Sequence, residues 1–364
     1  MNNVAGKKIH VVIDNITTGG GIERVCSVIL PLLAKESRVK VIGLLDSDKN
    51  TTYDFPEIEI VPLNSNNLSG QFGYLKLLSK AFSIIKKDRP DIVLYPSMGR
   101  LTVFAAPFIL KDRFSSRHTR HIACEHIAFS SHSGMVLKLK RATLPRYDRV
   151  VFLTSRDVDQ FNDHSKFLYI PNPSPFTSIS EPRAEPSNKV AIGVGRLTYQ
   201  KGFDLLIPAW KNFIAHHPEW KLVIAGEGED RNKLESLIRE HGLEHHCELL
   251  GNSQDIGQLY QNADIMLMPS RFEGLPMSLI EAQYHALPIV AFDCETGPRE
   301  IITDDEDGYL IPPFDQQKFS EAIERAITPD RYNNLSIAAT QSAERFDRNE
   351  IIDHWKRLFA SIQH

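Results

Sequence analysis

The chain has 364 residues, roughly two to three times the usual length of one domain, which predicts two domains. Its 42% apolar and 24% charged residues are typical of a globular protein and exclude intrinsic disorder, collagen and a small disulfide scaffold. The net charge of -4 conceals an asymmetry, because residues 1–185 hold 25 basic and 18 acidic side chains whereas residues 186–364 hold 17 and 28. The two halves therefore predict different partners.

The first half alternates apolar, β-branched runs with helical patterns. Polar residues 1–8 lead directly into a strand predicted at 8–14, so we expect no signal peptide. No apolar stretch reaches the roughly 18 residues that span a bilayer. The turn Gly19-Gly20-Gly21 then opens a helix over 22–35. The other predicted elements of this half are strands at 39–45, 91–95, 121–124 and 150–154 and a helix at 74–87.

Five prolines between 171 and 187 predict a linker, after which the alternation resumes. The second half predicts strands at 190–194, 221–225, 247–249, 265–268 and 289–292, and helices at 203–216, 231–241, 256–261, 277–285, 319–326 and 349–362. We therefore expect an α/β fold of two Rossmann-like, doubly wound parallel-sheet domains, at 1–170 and 189–348, facing a cleft and joined by a linker at 171–188. Four separated cysteines without a CxxC pair favour free thiols in the cytoplasm.

The glycine turn at 19–21 is the first candidate for phosphate binding. Its backbone amides and the following helix dipole suit an anion. The turn is not a GxGxxG motif, because no glycine lies three residues beyond Gly21. A nicotinamide dehydrogenase is therefore disfavoured.

A second candidate follows the strand at 190–194. Arg196 and Lys201 lie in the run Gly195–Gly202, before a helix, at a position that falls on the ligand-binding edge of an open α/β sheet. An arginine fork and a lysine ammonium together suit a diphosphate. The alternative is a pair of surface cations flanking a turn.

The third candidate is the run Ser270–Ala282. Glu273 lies in a loop after the strand at 265–268 and is suited to sugar hydroxyls, whereas Glu281 lies inside the next helix and is suited to a vicinal diol. Pro276 is a good first helical residue, so the amides of Met277 and Ser278 are expected to face a phosphate. The alternative is an acid near the helix dipole and a solvated helix acid.

Taken together, these motifs resemble the family 4 retaining glycosyltransferases of the GT-B fold. The resemblance runs from about Gly19 to Phe314 and is strongest between Gly193 and Ile311. It rests on the following strings: Gly195-Arg196…Lys201-Gly202, Ala225-Gly226-Glu227-Gly228, Gly251, Asn262-Ala263-Asp264, Pro269-Ser270…Glu273-Gly274…Glu281-Ala282 and Gly308, with Gly19–Arg24, His126 and Pro171-Asn172-Pro173 in the first half. The last string departs from the commoner Pro-Asn-Gly.

The resemblance implies an acceptor-binding N-terminal domain, a nucleotide-sugar-binding C-terminal domain and a helix at 349–362 that packs back on the first domain. It implies a metal-independent reaction that retains anomeric configuration and needs no cofactor. The implied catalytic residues are His126, Arg196, Lys201 and Glu273. The implied donor-binding residues are Gly20, Gly21, Asn172, Gly226, Gly251, Asn252, Gly274, Leu275, Met277, Ser278 and Glu281, and the implied acceptor-binding residues are Glu23 and Arg24.

Two acidic runs offer other interpretations. Asp46-Ser47-Asp48 resembles the DxD metal motif of the other main glycosyltransferase fold, but its early position favours a solvated turn. The run Asp304–Asp307 is expected to be a solvated loop. No His/Cys cluster has zinc spacing.

The basic first half predicts a surface for anionic lipid at the inner face of the cytoplasmic membrane. The surface residues expected are Lys76, Lys80, Lys86, Lys87, Arg89, Lys111, Arg113, Arg117, Arg120, Lys138, Lys140, Arg141, Arg146 and Arg149, interleaved with Phe72, Tyr74, Leu75, Met135, Val136 and Leu137. The alternative is a solvated face over an apolar core. No RNA-binding signature is present, so nucleic acid is not an expected partner.

The hypothesis that follows is transfer of GalNAc, GlcNAc or a hexose from a UDP-sugar to a polyprenyl-diphosphate-linked or oligosaccharide acceptor in O-antigen or capsule synthesis. The choice of UDP and of these sugars follows the family's habits. A UDP-sugar 2-epimerase of the same fold and a non-catalytic sugar-nucleotide-binding protein remain as alternatives.

Overall fold

The computed structural model describes residues 5–64, 66–97, 99–115, 119–132, 134–253 and 255–362. The chain divides into two compact units. Unit 1 is Met1–Pro175 with Arg348–His364, and unit 2 is Phe176–Asp347.

Unit 1 contains a seven-stranded parallel sheet in the order β3-β2-β1-β4-β5-β6-β7. Its strands and helices in chain order are β1 (Lys8–Ile13), α1 (Gly21–Ala34), β2 (Arg38–Gly43), β3 (Glu59–Pro62), α2 (Gly70–Asp88), β4 (Ile92–Ser97), α3 (Arg100–Ser115), β5 (Arg120–Glu125), α4 (Gly134–Thr143), β6 (Arg149–Phe152), α5 (Ser155–Val158) and β7 (Phe167–Tyr169). The central strands are continuous apolar runs, because helices cover both faces of such a sheet.

Unit 2 contains a six-stranded parallel sheet in the order β10-β9-β8-β11-β12-β13. Its elements are β8 (Val190–Val194), α6 (Phe203–Ile214), β9 (Lys221–Ala225), α7 (Arg231–Glu240), β10 (Cys247–Gly251), α8 (Ile256–Asn262), β11 (Ile265–Met268), α9 (Met277–Tyr284), β12 (Ile289–Phe292), α10 (Pro298–Ile301), β13 (Gly308–Ile311), α11 (Gln316–Ala326) and α12 (Pro329–Ala343). Helix α13 (Arg348–Ser361) follows and belongs to unit 1, where it packs on α1. The two sheets confirm the predicted α/β architecture.

Each unit has its own apolar core. In unit 1, helices α2 and α3 pack on one face of the sheet around residues such as Leu77, Ile109 and Tyr147. In unit 2, Trp210 of α6 and Phe319 of α11 pack with strands β8 and β12. All four cysteines are free thiols, and all four are buried.

Several elements lie outside the sequence predictions. Strands β3, β7 and β13 have only three or four residues, too few for an apolar pattern to stand out. Helix α3 contains Pro107 and carries apolar residues all round, so it lacks the one-sided spacing of a surface helix. Helices α4 and α12 are also additional to the predicted set.

The expectation that both acidic runs are solvated is wrong at one residue of each. Asp46 is buried, and its carboxylate accepts hydrogen bonds from the backbone amides of Ile16 and Thr17 and from the Thr17 hydroxyl. Asp307 is buried as well, and it accepts from Gln283, Ser342 and the Thr303 amide. Both carboxylates are structural, because a buried charge needs several donors to replace water.

Candidate active site

The topology of unit 2 places two of the predicted loops side by side. Strand β8 pairs with β11, and the chain leaves these neighbours in opposite directions along the sheet. This is the switch point at which open α/β sheets bind ligands, outside the carboxyl ends of the strands. The loop after β8 carries Arg196 and Lys201, and the loop after β11 carries Glu273.

Lys201 and Glu273 meet across this switch point. The Lys201 Nζ atom lies 2.7 Å from Glu273 Oε1, and the Ser270 hydroxyl donates to the same oxygen at 2.7 Å. Both side chains of the ion pair are largely buried, at 17% and 7% exposed. The structure therefore brings together two of the four predicted catalytic residues.

A second ion pair joins the loop after β11 to the start of α6, directly after the other loop. Arg271 donates from both terminal nitrogens to Asp204 at 2.8 and 3.0 Å, and it also donates to the carbonyl of Tyr199. Hydrogen bonds from Arg271 and Lys233 hold the pKa of Asp204 below its usual value despite burial. The side-chain Nε2 of Gln200 donates to the backbone carbonyl of Phe272, which adds a further link between the two loops. These bonds fix the relative position of the loops.

Glycines occupy the ends of three adjacent strands beside this pair. A Cβ at Gly226 would lie 2.0 Å from the carbonyl oxygen of Gly195, so only glycine permits this approach. The Gly226 amide donates to the Gly251 carbonyl, and Gly251 has a φ of +84°, in the region that favours glycine. At these strand ends the backbone of one strand therefore packs directly against that of the next.

The loop after Glu273 leads into α9. Gly274 is approached closely by Gly297, where a Cβ would lie 2.5 Å from the Gly274 carbonyl oxygen, and Leu275 is buried. Helix α9 begins at Met277, and the hydroxyl of Ser278 is buried with no hydrogen-bond partner among the described residues. An unpartnered hydroxyl beside the first amides of a helix suits an anion such as phosphate.

Glu281 lies one turn further along α9. It is 5% exposed, and its Oε2 accepts from the Tyr260 hydroxyl at 3.0 Å. It is therefore not the solvated helix acid of the alternative interpretation. The side chains of Arg196 and Asn252, by contrast, are exposed.

In unit 1, the glycine turn contacts the start of α1. Glu23, at the third position of the helix, accepts from the Thr18 hydroxyl at 2.7 Å, and a Cβ at Gly20 would clash with its carboxylate. A Cβ at Gly21 would meet nothing within 4 Å. The Arg24 guanidinium lies over the Tyr53 ring at 5.2 Å. Glu23 thus shapes the glycine turn, and the buried Asp46 described above holds Ile16 and Thr17 just before it.

His126 and Asn172 of unit 1 line the same apolar cavity, together with Cys26, Cys124 and Trp355. His126 directly follows β5, and its backbone amide donates to the Ser97 carbonyl. Burial lowers the pKa of His126 to about 4, so its imidazole is neutral at neutral pH.

Comparison with known proteins decides the family. Residues 176–342 match the family model described as glycosyl transferases group 1. Over 362 residues, 96% of this chain and 99% of the relative, the sequence is 33% identical to the amylovoran biosynthesis glycosyltransferase AmsD of Erwinia amylovora. The chain belongs to the glycosyl transferases group 1 family.

One more relative and one solved structure are similar to this glycosyltransferase over nearly its whole length. It is 24% identical, over 98% of its chain and 99% of the relative, to the Campylobacter jejuni GalNAc-alpha-(1->4)-GalNAc-alpha-(1->3)-diNAcBac-PP-undecaprenol alpha-1,4-N-acetyl-D-galactosaminyltransferase. The pneumococcal O-GlcNAc transferase GtfA, solved with UDP and GlcNAc, matches it with a TM-score of 0.78 at 15% identity, over 98% of this chain and 99% of that one. The fold is therefore GT-B, as the motifs indicated.

Sequence patterns missed the residues that hold the charged groups of this glycosyltransferase in place. Ser270, Arg271 and Tyr260 each contact a site residue or link its loops. The run Ser270–Ala282 points to Glu273 and Glu281 but gives Ser270 and Arg271 no role, and Tyr260 lies in no predicted motif. The one available signal was local, because Ser270 and Arg271 lie within three residues of Glu273. The partners Asp204 and Glu281 lie 67 and 21 residues away from Arg271 and Tyr260.

The expected basic surface of unit 1 is wrong at two residues. Lys140 is fully buried and forms an ion pair with Glu125, whose other oxygen accepts from Thr102. Tyr74 is buried and donates to Asp14. Phe72 and Met135 are 91% and 77% exposed, respectively. Arg117 lies outside the described residues.

No helix in the part of the chain that the structure describes combines the length and apolar character needed to cross a membrane.

Proposed function

We propose that this glycosyltransferase transfers GalNAc, GlcNAc or a hexose from a UDP-sugar to a lipid-linked or oligosaccharide acceptor in surface polysaccharide synthesis, with retention of configuration and without a metal. The observation that carries the proposal is the Lys201–Glu273 pair at the switch point, next to the start of α9. A cation, a carboxylate and free helix amides are the groups that a nucleotide-sugar donor needs.

The donor's diphosphate is assigned to Lys201, Arg196 and the amides of Met277 and Ser278. Breaking the sugar–phosphate bond places negative charge on the leaving nucleoside diphosphate, and positioned cations and helix amides stabilise that charge. Arg196 is exposed and has no hydrogen bond from its side chain among the described residues, so it is available to a ligand. These groups supply the positive charge that a metal ion provides in other enzymes.

The sugar and the nucleoside are assigned to carboxylates and glycines. Glu273 accepts from donor sugar hydroxyls, and Glu281 accepts from the ribose diol. The strand-end glycines Gly226 and Gly251, with Asn252, are assigned to the base, because glycines without side chains let a flat ring approach the backbone. In unit 1, His126 and Asn172 are assigned to the donor sugar, with the neutral His126 imidazole contributing hydrogen bonds rather than charge.

The remaining residues of unit 1 are assigned to the diphosphate, the acceptor and the membrane. Gly20 and Gly21 offer backbone amides to the diphosphate, and Glu23 and Arg24 face the acceptor. The exposed apolar side chains Phe72 and Met135, flanked by lysines, support peripheral association with anionic lipid at the cytoplasmic face. The names of the Erwinia and Campylobacter relatives support a surface polysaccharide and a polyprenyl-diphosphate acceptor, respectively.

The test is transfer from UDP-GlcNAc, UDP-GalNAc, UDP-galactose or UDP-glucose to a synthetic polyprenyl-diphosphate-linked sugar, in EDTA, with the product's anomeric signal read by NMR. We expect an acceptor-dependent product with the donor's configuration. Donor consumption that is equal without acceptor would favour the epimerase, and an inverted product would contradict retention. Vesicle sedimentation that is equally weak with and without anionic lipid would contradict the membrane surface.

A further inference from the structure

Tyr260 links the two helices that flank the proposed nucleoside site. It lies on α8, is fully buried, and its hydroxyl lies 3.0 Å from Glu281 Oε2 and 3.3 Å from the carbonyl oxygen of Ser278. Both acceptors belong to the first two turns of α9. The tyrosine hydroxyl therefore reaches the same stretch of helix that the proposed function assigns to the phosphate and the ribose.

The ring of Tyr260 is held in this orientation by its neighbours. It stacks on His285 at a centroid distance of 5.2 Å and an interplanar angle of 25°, and the edge of Phe176 meets it at 6.4 Å. His285 is itself fixed, because its Nδ1 lies 2.8 Å from the Glu281 carbonyl oxygen. A buried ring between two aromatic neighbours has little freedom to turn its hydroxyl elsewhere.

The buried carboxylate of Glu281 requires hydrogen-bond donors such as the Tyr260 hydroxyl. A carboxylate that is 5% exposed has lost most of its hydration and is stable only with hydrogen-bond donors in place of water. A phenol that donates to a carboxylate forms a charge-assisted hydrogen bond, which also restricts the rotation of the carboxylate. The orientation of that carboxylate decides whether it can accept from two hydroxyls on adjacent carbons.

We propose that Tyr260 is a positioning residue that orients Glu281 toward the vicinal hydroxyls of the donor's ribose. This inference rests on the proposed function, which assigns the ribose to Glu281. Tyr260 itself touches no donor atom, and its effect passes through the carboxylate. It therefore sets how strongly the site distinguishes a ribonucleotide from its 2′-deoxy analogue.

The test compares calorimetric binding of UDP and 2′-deoxy-UDP to the full chain and to its Tyr260→Phe variant. We expect Tyr260→Phe to weaken UDP binding about tenfold, and 2′-deoxy-UDP binding less than about twofold, because only the ribonucleotide uses the oriented carboxylate. In turnover, the KM for the UDP-sugar rises while kcat changes less than about twofold. If Tyr260→Phe weakens the binding of UDP and of 2′-deoxy-UDP equally, or weakens neither, the inference is overturned.

Two further variants separate this inference from the proposed function. Tyr309→Phe is the matched control, because Tyr309 is a buried tyrosine whose hydroxyl accepts from Arg331 and not from a site carboxylate. It is expected to leave both affinities unchanged. Glu281→Gln is expected to weaken UDP binding at least as much as Tyr260→Phe, and the double variant to be no weaker than Glu281→Gln alone.

The outcomes are distinct. If Glu281→Gln leaves UDP binding intact, or if the unaltered protein does not bind UDP, the assignment of the ribose fails, and the role of Tyr260 fails with it. If Glu281→Gln weakens binding and Tyr260→Phe does not, the proposed function stands and the inference about Tyr260 is wrong.

Discussion

The ammonium group of Lys201 lies 2.7 Å from Oε1 of Glu273, and these two residues come from loops that follow neighbouring strands, β8 and β11. The pair is mostly shielded from water, so each charge depends on the other. Its position at the switch point means that a donor's diphosphate and sugar would meet a cation and a carboxylate already fixed relative to each other.

Loss of either charge of this pair is expected to reduce turnover strongly. We expect Lys201→Ala and Glu273→Ala each to lower kcat about 100-fold or more, since each removes a positioned charge and strands its partner. Initial rates with the UDP-sugar measure this. Lys189→Ala is the control, because Lys189 forms an exposed pair with Glu219 and should retain full activity. Near-normal activity of either site variant would refute the assignment.

Arg271 is expected to be irreplaceable by lysine. Its guanidinium binds both oxygens of Asp204 and the carbonyl of Tyr199, whereas an ammonium group has no fork to span them. We expect Arg271→Lys to lower kcat/KM about tenfold or more, because the two loops lose their register, and to destabilise unit 2 by about 1–3 kcal/mol. Urea unfolding and initial rates measure the two effects. An Arg271→Lys protein with unaltered kcat/KM would show that the bonds from Arg271 to Asp204 and Tyr199 are dispensable.

The buried pair between Lys140 and Glu125 predicts a stability effect in unit 1. Lys140→Met leaves the Glu125 carboxylate buried without its cation and is expected to cost about 3–5 kcal/mol of unfolding free energy. Combining it with Glu125→Gln should recover part of that loss. Lys138→Met, at an exposed position on the same helix, should cost little. Equal unfolding midpoints for Lys140→Met and Lys138→Met would contradict the structure.

Three histidines of unit 1, His10, His126 and His132, have their pKa lowered to about 4, chiefly by burial. Unfolded histidine titrates near 6.5, so between pH 6.5 and 4 the unfolded chain binds protons that the folded chain does not. The free energy of unfolding is therefore expected to fall as the pH is lowered through this range.

The fully buried His10 provides the test of that pH dependence. His10→Asn removes one such group and should make the fall shallower by up to about 1.4 kcal/mol per pH unit. Urea midpoints at about pH 7, 6 and 5 measure the slope. An identical slope in the variant and in the unaltered protein would show that His10 binds protons equally in the folded and unfolded states, against the lowered pKa.

The sheets were largely predictable from the sequence, because long apolar runs such as Val190–Val194 belong to strands buried on both faces. The short strand β13 and helix α3 are not, because a four-residue strand, or a helix whose apolar residues do not gather on one face, carries no periodic signal. The linker prediction rests on prolines, serines and the lack of a regular pattern, and residues 171–188 contain no helix or strand.

The candidate site was predictable where charges follow strands, as with Lys201 and Glu273, because the carboxyl ends of parallel strands meet at one edge. Its supporting residues were not. Asp46 resembles a metal ligand or a solvated acid, yet it holds Ile16 and Thr17 just before the glycine turn, and nothing in a local spacing distinguishes these roles. Lys140 looked like part of a basic surface because its partner Glu125 is 15 residues away.

A calorimetric titration of the protein, in EDTA, with UDP, GDP and NAD in turn, repeated on Lys201→Ala, decides whether the pair at the switch point holds a metal-free diphosphate. We predict that UDP binds without a metal and that Lys201→Ala weakens this binding at least tenfold, about 1.4 kcal/mol. GDP in place of UDP would change the donor and leave the diphosphate site in place. Binding of NAD alone, or of UDP only after a divalent metal is restored, would contradict a metal-independent nucleotide-sugar site at Lys201 and Glu273.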